Sequence, residues 1–111
     1  MDVSFQGIGE WAATFTGSDL KKGQVVKPSA SGAVAACGDG ENFCGVVLQC
    51  GGGLCAVQLG GLATVACSGT APGVGFALLA GDGDGGVKTV TQGGRSYLVT
   101  AADGGNITIK L

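Results

Sequence analysis

The sequence predicts a small all-β protein, a single glycine-rich β-barrel or sandwich. Of its 111 residues, 24 are Gly. Short apolar runs rich in Val, Leu and Ile follow one another at intervals of about ten residues, as in barrels and sandwiches. Turn dipeptides such as Asp39-Gly40 and Asp103-Gly104 separate these runs, and glycine accepts the positive φ that tight turns require. A chain of this length forms one domain with a modest core.

Each apolar run is predicted to be one strand. Alternation is clearest in the last run, where Ile107, Ile109 and Leu111 share one face. The run 44–48 is apolar throughout, which favours a strand covered on one face by the core and on the other by a neighbouring subunit. The predicted strands span residues 3–5, 11–16, 24–27, 33–37, 44–49, 54–59, 62–67, 75–79, 87–91, 96–101 and 107–111.

A candidate internal repeat relates the two halves of the chain at an offset of 52 residues. Each half contains a glycine and an apolar strand, a turn, a short strand and two stronger strands. Proteins rich in Gly and Val also produce such matches by coincidence, so duplication and chance both remain open. One compact barrel is favoured over two domains of about 50 residues, whose separate cores would be marginal. The matching pairs are Gly23 with Gly75, Val47 with Val99, Val57 with Ile109, and Leu59 with Leu111.

The N-terminal stretch differs from the rest of the chain. Residues 1–17 form an N-terminal strand or arm, and residues 18–111 form the β-barrel domain. Phe5, Ile8, Trp11 and Phe15 place large apolar side chains before the regular glycine spacing begins. The stretch either completes the barrel or packs on a neighbour, since aromatic anchors are enriched at interfaces. These four residues are the predicted assembly interface.

Charge and residue types exclude several functional classes. The chain has 6 Lys and Arg against 8 Asp and Glu, with no His. Nucleic-acid binding and polybasic membrane docking both require a basic excess. Without His, the common general base and the serine and cysteine triads are missing. Residues 1–5 lack the basic start of a signal peptide. We therefore predict a non-enzymatic protein with no catalytic residues, made in the cytosol.

The cysteines are predicted to be mostly reduced, buried and free of metal. Their number is odd, their spacing contains no C-x-x-C motif, and free cysteine is commonly buried. A pairing of Cys50 with Cys55 across a hairpin, a pairing of Cys37 with Cys44, and an irregular four-thiolate zinc site remain alternatives. The five positions are Cys37, Cys44, Cys50, Cys55 and Cys67.

Two acidic loops superficially suggest calcium sites. Residues 38–42 and 81–86 combine Asp or Glu with glycine. Neither has the longer ligand run, the terminal bidentate Glu or the flanking helices of an EF-hand. We interpret both as solvated turns, and we predict no metal and no cofactor.

Four stretches of the sequence resemble the small head proteins of tailed phages. They are residues 20–26, 43–47, 55–61 and 75–78. The similarity covers roughly residues 18–111, and its nearest groups are the capsid decoration (head-stabilising) proteins and a related phage-associated family. The N-terminal segment containing Trp11 departs from this shared pattern.

The resemblance implies a compact β module on the outside of the capsid. Such a protein binds copies of itself, often as a trimer, and clamps major capsid subunits; it is made in the bacterial cytoplasm and resides in the virion. The family has no catalytic residues to transfer. One alternative is a self-assembling filament or surface-layer subunit joined by strand addition. A sugar-binding β domain is a lesser alternative, because it would need an aromatic platform and the chain has one Trp and one Tyr.

Overall fold

A computed structural model describes residues 10–111, and within that range the chain forms ten β-strands and no helix. The predicted all-β class is confirmed. Each predicted run overlaps one strand, except residues 3–5, which lie outside the described range. The strands are β1 Trp11–Thr16, β2 Val25–Ala30, β3 Ala33–Ala36, β4 Gly45–Gly51, β5 Leu54–Gly60, β6 Leu62–Ala66, β7 Gly75–Gly81, β8 Val87–Thr89, β9 Arg95–Asp103 and β10 Asn106–Lys110.

The first five strands form a closed barrel in the order β1-β3-β2-β4-β5. Strand β1 closes it, because β1 pairs antiparallel with β5 along its whole length and parallel with β3 at Thr16 and Ala33. Its interior is filled mainly by β-branched side chains, which suit a pleated, buried surface. The buried residues of this first core are Val26, Val34, Val47, Cys55 and Val57.

The last five strands form a second sheet with the same strand order. Followed from β3, the barrel runs β3-β2-β4-β5-β1, and the second sheet followed from β8 runs β8-β7-β9-β10-β6. The two ends of the second sheet meet at one parallel bridge between Cys67 and Val87. The strands are thus divided equally between a barrel and a sheet, rather than placed in one large barrel.

The hairpins β4–β5 and β9–β10 also share their register. Val47 pairs with Val57, and Val99 pairs with Ile109, each 52 residues later. In both hairpins the residue after the first valine is skipped by the pairing, which is the irregularity of a β-bulge. The same bulge at the same place supports the internal repeat that the sequence suggested.

The two halves pack together through a second core, to which both halves contribute residues. Val25, Phe43 and Val46 from the first half belong to the cluster that contains Leu79 and Ile109 of the second half. The assembled molecule is flat, with extents of 37 × 36 × 20 Å. The halves are therefore parts of one folded unit, because this core contains residues of both, whereas the first core contains residues of the first half only.

Strand β4 shows why the halves stay together. Val47 faces the first core, and Val46 on the opposite face is only 4% exposed. The prediction that this run is covered on both faces is confirmed, but the second half of the same chain, not a neighbouring subunit, supplies the outer cover. Where the halves meet, a Cβ on Gly81 of β7 would lie 2.7 Å from the Cβ of Cys37. The close approach of β7 to the segment after β3 therefore requires glycine at position 81.

Candidate interaction surface

Large apolar side chains are exposed in three places on the described part of the molecule. Trp11 and Leu54 lie at opposite ends of the β1–β5 pair. Val74, Phe76 and Leu78 lie together at the start of β7, at alternate positions of the chain. A group of neighbouring exposed apolar side chains indicates an interaction surface, whereas single exposed apolar residues are common on soluble proteins. The β7 group is therefore the candidate surface.

The geometry of β7 explains this exposure. Ala77 and Leu79 pack on the second core, so Phe76 and Leu78 project outward on the opposite face of the sheet. Leu98 of β9 lies directly across from Phe76 and extends the apolar area. We call Val74, Phe76, Leu78 and Leu98 the β7 face; Phe76 at its centre is 79% exposed.

Of the four predicted assembly residues, the structure describes Trp11 and Phe15. Phe5 and Ile8 lie outside the described residues. Phe15 faces inward and packs against the first core. Trp11 is 58% exposed and lies over Gly60, where any Cβ would overlap the indole.

The pairing of β1 with β5 shifts between Trp11 and Ala12, because Leu59 of β5 is skipped and the bulge therefore lies on β5. Trp11 is the first residue of β1 and lies exposed over Gly60, whereas Phe15 lies farther along the strand and packs against the first core. Within the predicted N-terminal segment 1–17, residues 11–16 thus form a strand of the barrel.

The sequence analysis missed the β7 face, although a signal was present. Residues 76–79 are apolar at every position, as are residues 44–48, for which cover on both faces was predicted. In β4 the second face is buried within the chain, whereas in β7 it is exposed. A strand that is apolar at every position therefore has apolar side chains on both faces, but its sequence does not indicate whether the chain itself buries the second face.

The cysteines divide into a bonded pair and three free thiols. Cys50 and Cys55 are opposite each other in the β4–β5 hairpin and form a disulfide, which is one of the alternatives that the sequence left open. Cys37, Cys44 and Cys67 are free, so the alternative Cys37–Cys44 bond is not formed. Burial raises the pKa of the Cys37 thiol to about 11, with a further contribution from the Glu41 carboxylate.

This disulfide leads to a prediction about the unreduced protein. We expect the denatured chain to be alkylated at three cysteines and its intact mass to be lower by two hydrogen atoms. Because the bond closes a very short loop, reduction should cost at most about 2 kcal/mol of unfolding free energy, measured by denaturation with and without reductant. The same measurement on Cys67→Ala, which leaves the pair intact, is the control. Alkylation at five cysteines would show that the bond does not form.

The acidic loops are held by hydrogen bonds that satisfy their carboxylates. The Asp82 carboxylate accepts from the Ser68 hydroxyl and from the N–H groups of Asp84, at 2.7 Å, and Gly86, at 3.1 Å. Burial alone would raise the pKa of Asp82, but these hydrogen bonds together lower it. The carboxylate therefore organises its own loop, as expected for a turn.

The other acidic loop is organised in the same way. The Lys27 ammonium lies 2.7 Å from Glu41 and, with the N–H of Gly38, lowers the pKa of that carboxyl group. Within residues 10–111, no three Cys, Asp or Glu side chains are grouped so that they could hold a metal ion.

An open cleft of about 400 Å³ lies between the halves. Its walls include Lys21, Lys22, Asp19 and Asp84, together with glycine backbone. The charges are of both signs, and the lining contains no aromatic side chain. Such a lining lacks the apolar walls and convergent polar groups of a small-molecule site.

The comparisons with known proteins give no assignment. No protein-family model matches the chain, and no curated protein matches it. Among the residues that the structure describes, no helix is long and apolar enough to cross a membrane.

Proposed function

We propose that this chain is a non-enzymatic structural protein that binds the outside of a tailed-phage capsid and stabilises the head. The observation that carries the proposal is the apolar β7 face on a flat β module. The acidic side chains of its loops form hydrogen bonds within those loops. A surface of this kind favours binding to another protein. The resemblance of residues 18–111 to phage decoration proteins supplies the capsid as the target.

The shape of the molecule suits this role. A body 20 Å thick and about twice as wide can lie across neighbouring capsid subunits and bury area on several of them. Many copies on one particle make modest individual contacts sufficient, since avidity multiplies them. The proposed partners are a major capsid protein and further copies of this chain, as a trimer; the chain is made in the host cytoplasm and resides on the virion exterior.

The alternative of a filament joined by strand addition has less support. Strand addition requires a long free edge, and the first sheet is closed by pairing of β1 with both β3 and β5. The ends of the second sheet meet at Cys67 and Val87. Short free edges are better suited to a discrete particle-bound module.

Co-sedimentation with capsids tests the proposal. The chain is mixed with expanded heads assembled from the major capsid protein encoded in the same genome. We expect saturable binding to the heads and a higher melting temperature of the decorated particle, because a clamp that binds only the assembled lattice stabilises it. A folded chain that stays in the supernatant at all capsid concentrations would rule the proposal out.

The predicted contribution of Phe5 and Ile8 is tested in the same assay. Burying each apolar side chain would contribute about 1.5–3 kcal/mol before ordering costs, so the double variant Phe5→Ser/Ile8→Ser should weaken capsid binding by at least about tenfold. Gln6→Ser, in the same segment, is the matched control. Removal of residues 1–17 is unsuitable as a test, because it deletes strand β1 of the barrel. Equal binding by the double variant and the control would remove the segment from the interface.

A further inference from the structure

The internal repeat places the β7 face at a position that is covered in the first half. Val25 of β2 pairs with Val46 of β4, and Phe76 of β7 pairs with Leu98 of β9. Leu98 lies 52 residues after Val46, the same offset that relates the two bulged hairpins. Phe76 lies 51 residues after Val25, so the two pairs are equivalent by strand order and register, with an offset one residue shorter on β7. Both pairs project away from the core enclosed by their own sheet.

The two equivalent pairs differ in what covers them. Val25 is completely buried and Val46 nearly so, because the second half of the chain packs on them. Phe76 remains 79% exposed. In the first half, the Val25–Val46 pair thus joins one five-stranded unit to the other. In the second half, the equivalent Phe76–Leu98 pair is available for the same kind of contact.

An open strand edge adjoins the exposed pair. Strand β8 pairs only with Leu79, Ala80 and Gly81 at the end of β7. The start of β7, from Gly75 to Ala77, pairs only with β9. Among the described residues no strand therefore flanks Phe76 on this side, and a second molecule can approach it.

We propose that a second copy of this chain covers the β7 face, in a symmetric contact that brings the two β7 strands and their Phe76 side chains together. In a two-fold contact the same patch serves on both subunits, so an apolar patch whose four members are uncharged is complementary to itself. Lys110, opposite Leu98 on β10, lies at its border. This inference rests on the self-association in the proposed function and does not require a capsid to be present. A two-fold contact joins subunits in pairs, so it is distinct from the contact that would join three subunits in the proposed trimer.

The dimensions are compatible with such a contact. A stable interface buries about 800 Å² on each partner, around a core depleted of charge and rich in aromatic side chains. The β7 face supplies that core, and Ser96, opposite Leu78, is uncharged. The 37 × 36 Å breadth of the molecule leaves room for a polar rim around it.

The test is the mass of the purified full-length chain in solution, by light scattering and sedimentation over a range of concentrations. We expect a dimer or larger symmetric assembly. Phe76→Ser/Leu78→Ser should raise the dissociation constant by at least about 100-fold without lowering the melting temperature of the folded subunit. The matched control is Leu54→Ser, which removes an exposed apolar side chain elsewhere and should leave the assembly unchanged.

Three results would overturn the inference. One is a wild-type chain that is monomeric up to about 100 μM, and another is an assembly that the Phe76→Ser/Leu78→Ser variant does not weaken. The third is an assembly that is lost on removing residues 2–9 but retained in that variant, which would make the N-terminal segment the contact. If the chain were a monomer whose capsid binding depends on Phe76, the self-contact would be overturned and the proposed function supported. If the chain self-associated through Phe76 but did not bind capsids, the self-contact would be supported and the proposed function overturned.

Discussion

Leu79→Ala is expected to lower the free energy of unfolding by about 3–5 kcal/mol. Leu79 is completely buried in the second core, and truncating such a side chain costs both its transfer free energy and the cavity that is left. For a protein of this size, each kcal/mol corresponds to a shift of about 4–8 °C in melting temperature. Urea denaturation followed by Trp11 fluorescence and circular dichroism measures the change.

The neighbouring leucine provides the matched control. Leu78 projects outward and is partly exposed, so Leu78→Ala should cost less than about 1 kcal/mol. Because self-association would add stability to the wild type, both variants are compared at a concentration where each is monomeric. If the two losses were equal, the alternation of β7 between core and surface would be wrong.

Phe43→Ala is expected to cost about 3–5 kcal/mol and to loosen the junction between the halves. Phe43 belongs to the first half but stacks on Tyr97 of the second, with ring centroids 4.7 Å apart. The Tyr97 hydroxyl donates a hydrogen bond to the Phe43 carbonyl oxygen. Amide hydrogen exchange should show protection falling in both halves, since the shared core includes residues of each.

Tyr97→Phe separates packing from hydrogen bonding at this junction. The variant keeps the stacked ring and loses the bond to Phe43, so the expected cost is about 0.5–1.5 kcal/mol. A loss of protection confined to the first half in Phe43→Ala would show that the halves unfold independently. Equal losses for the two variants would assign the effect to the hydrogen bond rather than to the stack.

Much of the fold could be predicted because strand formation here is governed by local pattern. Apolar runs separated by glycine turns located every strand in the described range, and the repeat was visible in pairs such as Val47 and Val99. Positive φ at Gly40, Gly83 and Gly104 accords with the Asp-Gly turns predicted from the sequence. These features depend on a few neighbouring residues, so they can be recognised without knowing the tertiary structure.

The candidate surface could not be predicted, because it depends on contacts between distant segments. The run 44–48 and the start of β7 have similar composition, yet one is covered by the second half and the other is exposed. The bulge at Leu59 of β5, opposite the step from Trp11 to Ala12, likewise depends on the pairing of two strands that are distant in the sequence. Which cysteines would pair likewise followed from the register of β4 with β5.

Closure of the barrel by β1 has a consequence for synthesis on the ribosome. Strand β1 ends at Thr16, but its main partner β5 begins at Leu54, so the first strand emerges long before it can pair. Contacts between such distant segments carry a loop-closure cost and form slowly. Until β5 has left the exit tunnel, the nascent chain presents an unpaired strand, and chaperones would meet the protein in this interval.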